Sequence, residues 1–240
     1  MGLKVDLHIH SALSPCGSED MTPNNIVNMS LIKGLDVIGI TDHNSCKNAG
    51  ACIKASENED IIVIPGMELQ TREDIHVVCL FQSLNEAMLF QDYVYHHLPK
   101  LNNKTDIFGE QVILDYRDNI IGYEDRMLLT SADISFDEAF YQVNSLGGVF
   151  IPAHIDKEGF SLLINLGFVP EYLNIKYLEY FSMKNIEHFI KCGILNKKYN
   201  FIKSSDAHYL YDIMECGEAY EMDVNGVNID IGQIFEHLKK

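Results

Sequence analysis

Hydrophobic and polar residues alternate along Val5-Asp6-Leu7-His8-Ile9-His10, the pattern of a strand with one apolar and one polar face. On that reading Val5, Leu7 and Ile9 face a core, while Asp6, His8 and His10 share the other side. Thr22-Pro23 then opens a helix, as an N-cap and first position, with Ile26, Met29 and Ile32 at helical spacing and Gly34 as the stop. Residues 35–40 read as the next strand, ending at Thr41-Asp42-His43-Asn44. The rhythm repeats with a helix over 45–57, then a buried strand over 61–64 that ends at Pro65-Gly66-Met67-Glu68. Residues 75–81 form another strand, with His76 near its start, and 84–97 a helix.

The stretch from about 98 to 137 breaks the rhythm, being rich in charge, Asn and Tyr, and predicts an insertion that forms a lid or one wall of a pocket. Residues 137–146 return to helix, and a strand over 149–152 leads to Ala153-His154. Later strands cover 172–180, with Glu179 near the end, and 200–203, leading to Ser204-Ser205-Asp206-Ala207-His208. A short amphipathic helix starts at about Ile231.

Strands alternating with helices, with polar residues gathered where strands end, predict an α/β fold with a parallel sheet or barrel. Seven strand candidates leave an eight-fold barrel incomplete, so the expected architecture is a distorted seven-stranded (β/α)7 barrel. It is expected to be one domain over residues 1–240, with the insertion near 98–137.

The strand ends carry His8, His10, His43, Glu68, His76, His154, Asp206 and His208, with Cys16 in the loop after the first strand. Each has an ordinary reading alone: a surface histidine, a strand-end acid, a helix cap. Together they place imidazole and carboxylate donors suited to Zn, Mn or Fe at separate strand ends of one rim. His96, His97, His188 and His237 lie within helical patterns and read as surface or core residues.

Composition narrows the partners. With 47 % hydrophobic and 22 % charged residues the chain is ordinary for a globular core. A net charge of −17 argues against gripping long nucleic acid, although bound cations would still let a small anion approach. Six cysteines without CxxC spacing read as reduced cytoplasmic thiols. No targeting segment is expected before the first strand, nor any membrane span, since no apolar run approaches about 18 residues.

In order along the chain, Asp6-Leu7-His8-Ile9-His10, Thr41-Asp42-His43, Glu68, His76, Pro152-Ala153-His154 and Ser205-Asp206-Ala207-His208 resemble the motifs of the PHP (polymerase and histidinol phosphatase) family. The resemblance runs from Val5 to His208. It implies a distorted seven-stranded barrel related to amidohydrolases, two or three divalent metal ions in its mouth, and phosphoester hydrolysis by metal-bound hydroxide. By position it assigns His8, His10, Glu68 and Asp206 to a first metal. Glu68 would bridge to a second ion held by His76 and His154. His43 and His208 would hold a third, together with Cys16, where relatives often place His or Asp. Either the thiolate completes a zinc-leaning site, or that site is weak and sometimes empty.

Asp6 and Asp42 are candidates to orient ligating histidines. Arg72 and Lys157 are expected to meet a phosphate at the mouth, and Arg117 and Arg126 to reach it from the insertion. The expected function is hydrolysis of a small phosphorylated metabolite or nucleotide, with Glu68, Asp206, Arg72 and Lys157 as the catalytic group. The alternatives are a phosphodiesterase or exonuclease on short oligonucleotides, a non-catalytic metal-binding regulatory module, and an amide hydrolase.

Overall fold

The alternating segment at the start of the chain becomes a strand inside a six-stranded curled sheet, flanked on both sides. The computed structural model describes residues 2–196, 198–224 and 229–240. Its strands are β1 (Leu3–Ile9), β2 (Val37–Ile40), β3 (Ile62–Gln70), β4 (His76–Leu80), β5 (Val112–Leu114), β6 (Ile120–Tyr123), β7 (Val149–Pro152), β8 (Tyr177–Tyr180), β9 (Asn200–Lys203) and β10 (Tyr220–Met222). The large sheet runs β10-β1-β2-β3-β4-β7, β8 pairs with β9 in parallel, and β5 and β6 form an antiparallel hairpin.

β1, β2 and β3 are parallel neighbours joined through helices, as the period-switching sequence predicts. The first crossover helix, Pro23–Ile32, is capped by Thr22, which accepts a hydrogen bond from the Asn25 amide. β1 and β2 approach so closely that a Cβ at Gly39 would lie 2.5 Å from the Leu7 carbonyl oxygen.

Two expectations change here. The sheet is mixed rather than parallel, because β4 runs antiparallel to both β3 and β7. Residues 71–75 are too few for a helical crossover; Thr71 accepts from the Asp74 amide and donates its own to Ile75, and Asp74 takes a left-handed φ of 56°. Strict alternation along β1 also fails. The β1–β2 register shifts between Asp6 and Ile9, so Val5 and Leu7 pack with Val78, Ile151 and Ile202, whereas Ile9 joins Ile38, Ile40 and Ala207.

The core forms in layers on the sheet. Helices Pro23–Ile32 and Ala49–Ala55 pack Ile26, Val27, Ala49 and Cys52 against β2. Helices Leu84–His97 and Phe136–Ser145 bring Phe90, Phe136 and Val143 onto Phe81 and Phe150. Helix Ile231–Leu238 closes the end beneath Val5 and Leu7 with Ile234, Phe235 and Leu238. The β8–β9 pair is tied to this sheet at two places, beyond β7 and beside the end of β1. The Ile155 amide donates to the Glu179 carbonyl after β7, and a parallel bridge joins Ile9 to Ala207 after β9. Among the described residues no helix is long and apolar enough to cross a membrane.

Candidate metal centre

Donors from six separate strand ends meet around one carboxylate. Glu68, fully buried on β3, lies 2.8 Å from His43 Nδ1 through Oε2 and 3.4 Å from His10 Nε2. Its Oε1 lies 2.9 Å from His76 Nδ1, 3.1 Å from His154 Nε2 and 3.3 Å from His8 Nε2. Asp206 Oδ1 adds a second carboxylate, 3.4 Å from His8 Nε2 and 3.2 Å from His10 Nε2. Three groups have donor atoms all within 4.8 Å of one another: His8, His10, Glu68 and Asp206; His43, Glu68 and His76; and His10, His43 and His208.

Two of these donors stand on backbone that L-residues rarely adopt. His154 has φ 29° and Asp206 φ 54°, and Asn44, following His43, has φ 49°. Distant bonds hold them there. The His154 amide donates to Glu179 Oε1 at 3.0 Å, and Asp6, buried on β1, accepts from the Ser205 and Met214 amides at 2.9 and 3.2 Å. Asp6 therefore grips the backbone loop that carries Asp206 and His208, and not a histidine ring.

Asp42 does act on a histidine, through a relay that the sequence did not reveal. Its carboxylate accepts from Ser11 N, Ser11 Oγ and Ser14 Oγ at 2.6–2.7 Å. Ser14 Oγ, having spent its proton on Asp42, accepts from His10 Nδ1 at 3.0 Å and from the His43 amide at 3.1 Å. That fixes the His10 tautomer and leaves Nε2 as a bare lone pair directed at the cluster. Glu179 holds His8 in a similar way, its oxygens lying 3.0 and 3.1 Å from Nδ1, so that Nε2 is directed at the cluster. Glu179 was legible only as the one acid in the strand Tyr177-Leu178-Glu179-Tyr180.

The electrostatics call for positive charge in the middle. Burial opposes a charged His8, but Glu179, Glu68 and Asp206 outweigh it and hold the ring well above its usual pKa. Burial would raise Glu68, yet the imidazoles of His76, His8 and His43 hold it well below the carboxylate range. Asp206 is likewise held low, against its burial, by His8 and His10. His10, by contrast, is buried beside His208 and His43 and is pushed well down. Its neutral Nε2 thus faces two carboxylates and lies 3.1 Å from His8 Nε2, while buried Glu68 Oε2, although 2.8 Å from His43 Nδ1, has no well-aligned hydrogen bond. A proton on His8 stands where a cation fits, and the donor set, imidazoles with carboxylates, suits a divalent metal.

Cys16 sits at the open side. Partial enclosure raises its thiol, but hydrogen bonds with His208 and His43 bring it down to about 7. It lies outside the His10–His43–His208 group, which takes a third imidazole where the resemblance had the thiol.

The mouth above the cluster, a cleft of about 370 Å³, is walled by Cys16, Leu129, Lys157 and Phe160 among others. Lys157 Nζ lies 2.5 Å from Asp206 Oδ2 and 5.3 Å from the centre of the Phe181 ring. Phe160, absent from the sequence reading, accepts from the His76 amide and stacks on that imidazole at 4.7 Å. Arg72 does not reach the mouth. It follows the tight turn out of β3 and pairs at the surface with Asp133 and Glu138, at 2.7 and 3.4 Å. Arg126 is turned onto Tyr95, and Arg117 onto Tyr116. His96 and His97 bond to carbonyls of their own helix.

The PHP domain family matches residues 6–160, a span that carries seven of these donors from His8 to His154. The chain belongs to the PHP domain family. An uncharacterized protein of Methanocaldococcus jannaschii, MJ1587, is 33 % identical over 92 residues, covering 35 % of this chain and 52 % of that protein. The chain thus spans about half the length of this curated relative. Among solved structures, the lesion-specific endonuclease PfuEndoQ of Pyrococcus furiosus aligns with all of this PHP chain and 56 % of its own, at a TM-score of 0.68 and 19 % identity. A Bifidobacterium adolescentis protein assigned as a metal-dependent phosphoesterase covers 98 % of this chain and 95 % of its own, at a TM-score of 0.61 and 16 % identity. At those identities the likeness to both structures is one of fold.

Proposed function

We propose that this PHP protein is a metal-dependent phosphoesterase that hydrolyses a small phosphorylated molecule. The observation that carries this reading is the convergence of His8, His10, Glu68 and Asp206 on one point, with neutral His10 Nε2 aimed at carboxylate oxygens that it cannot bond. His8, His10, Glu68 and Asp206 would hold one ion. Glu68 would bridge to another held with His76, His154 and His43, and His208 with Cys16 would reach a third. Divalent ions bound there supply Lewis acidity toward a phosphoryl oxygen and lower the pKa of water to about 7.

The chain's own residues do the rest. Glu179 and the Ser14–Asp42 relay fix the two buried imidazoles in the tautomer that presents Nε2. Lys157, released from Asp206 as a phosphate arrives, offers its ammonium to a phosphoryl oxygen. Phe160 covers His76 and limits water at that edge. The curled sheet together with β8–β9 supports the reading of a distorted seven-stranded barrel in a single domain, since backbone bonds link the pair to both β7 and β1.

The test is phosphate release from a panel of phosphomonoesters by protein reconstituted with Zn, Mn or Fe, with bound metal counted by elemental analysis. His8→Ala/His10→Ala should lose at least one ion per chain. Its turnover should fall about a thousandfold or more, the size of the several kcal/mol that a Lewis acid contributes. Wild-type turnover that is independent of metal, or no higher than that of the variant, would count against the reading.

The fold shared with PfuEndoQ supports a second reading, cleavage of a phosphodiester in nucleic acid. Against it stand the net charge of −17 and the pairing of Arg72 and Arg126 away from the mouth. Metal-dependent cleavage of labelled duplex or short oligonucleotides in a gel assay, faster than monoester hydrolysis, would favour it.

A further inference from the structure

The insertion between residues 98 and 137 builds a second cleft beside the metal centre, one that the hydrolysis of a bare phosphate does not need. This cleft has a volume of about 720 Å³, and its walls include Lys100, Leu101, Lys104, Ile107, Phe108 and Leu129. Leu129 also walls the mouth above the cluster, so the two clefts share a partition. The partition is fixed to the metal centre itself. Asn44, next to His43 and on left-handed backbone, donates from Nδ2 to the carbonyls of Leu128 and Thr130, both at 2.8 Å, on either side of Leu129.

The outer wall is equally anchored. Gly109, at φ 88°, closes the turn 105–108, and a Cβ there would stand 3.1 Å from the Pro15 carbonyl, beside Cys16. The hairpin behind it is tied to the loop after β1 by Val112 N to Ala12 O, and to the start of helix Ala49–Ala55 by Asn48 bonds to Val112 and Leu114. The groove is therefore preformed, which lowers the ordering cost of a ligand.

Its surface chemistry is unusual for an acidic protein. Leu101, Ile107 and Phe108 are 57 %, 64 % and 40 % exposed on one short stretch, an apolar patch left open to solvent. Lys100 and Lys104 flank it, and among the described residues neither makes an ion pair, although the chain carries a net charge of −17. An apolar floor between two unpartnered ammonium groups suits a flat or aliphatic body that bears an anionic group of its own.

Resting on the phosphoesterase reading, we propose that this groove binds the organic part of the substrate: an elongated phosphoester whose apolar body crosses Leu129 and whose second anionic group meets Lys100 and Lys104.

The test uses the full metal-loaded chain, with anilinonaphthalene sulfonate as a fluorescent probe of the groove and naphthyl phosphate and glycerol phosphate as competitors. The probe should saturate a single site, and naphthyl phosphate should displace it at about tenfold lower concentration than glycerol phosphate, about 1.4 kcal/mol of extra affinity. Ile107→Asp and Lys100→Glu/Lys104→Glu should abolish the probe signal. His8→Ala/His10→Ala should keep the probe bound but weaken displacement by naphthyl phosphate about tenfold, because the phosphate loses its anchor. In turnover, Ile107→Asp should lower the ratio of kcat/KM for naphthyl over glycerol phosphate about tenfold, carried by KM.

A probe signal unchanged in both groove variants would overturn the proposal, as would equal displacement by the two competitors. So would a dimer in sedimentation that binds the probe only on dissociating, since a second copy would then be the occupant. If the displacement pattern holds but no ester is hydrolysed, the groove stands as a ligand site and the phosphoesterase reading falls.

Discussion

The two sides of the donor cluster are built differently. On the deep side His8, His10 and Glu68 are fully buried, and both imidazoles have their second nitrogen engaged, His8 by Glu179 across 171 residues and His10 by Ser14, which Asp42 holds in turn. On the open side Cys16 is exposed and His208 partly so; the His208 ring has its Nδ1 2.8 Å from the Asp206 carbonyl and otherwise bonds the exposed Cys16 thiol. Deep donors are thus pre-aimed before any ion arrives, whereas the open donors keep freedom to adjust. Pre-aimed donors lose less entropy on binding, so the deep side is expected to fill first and most tightly.

Breaking the deep side should have the largest effect. Glu179→Gln keeps the size of the side chain but removes the carboxylate facing His8 Nδ1, and metal affinity or turnover is expected to fall about 10- to 100-fold. Isothermal titration with zinc on the variant checks this, and an affinity equal to wild type would show that the pre-aiming is unnecessary. Cys16→Ser sharpens the comparison from the open side. Exchanging a soft for a hard donor should weaken the last ion to bind about tenfold for zinc and hardly at all for manganese. Equal losses for both metals would place the thiol outside coordination. Arg72→Ala, touching neither side, should leave turnover and Tm unchanged, because its partners are surface carboxylates in solvent. A marked rise in KM would return Arg72 to the mouth.

What could be read in advance follows the same division. The strand ends were legible because apolar runs of fixed period stop at polar residues, and a stop is a local property of sequence. That places His8, His43, Glu68, His154 and Asp206 at one rim, where they do meet, whereas His76 begins its strand and reaches that rim because β4 is reversed. Orientation was not local. Glu179 acts across 171 residues and Asp6 across 199, and no periodicity reports a partner at that distance. The reversal of β4 is of a different kind, since residues 71–75 are too few for a helical crossover and their number is itself a local property of the sequence. The position of Arg72 follows from the same reversal, because the hairpin turn carries that side chain off the rim to Asp133. The left-handed backbone at His154 and Asp206 has only a weak signature in residue type, Asp and His being more tolerant of positive φ than most residues.

The clamp from Asp6 to the backbone of Ser205 and Met214 ties the start of the chain to segments made about two hundred residues later. During synthesis His8 and His10 therefore emerge from the ribosome long before Asp206 and Glu179 exist, and the group that His8, His10, Glu68 and Asp206 form is completed only by the last strands. By the same token, a fragment cut at residue 160, where the family match stops, would lack Glu179, Asp206 and His208, and would be an open cage however well it folded.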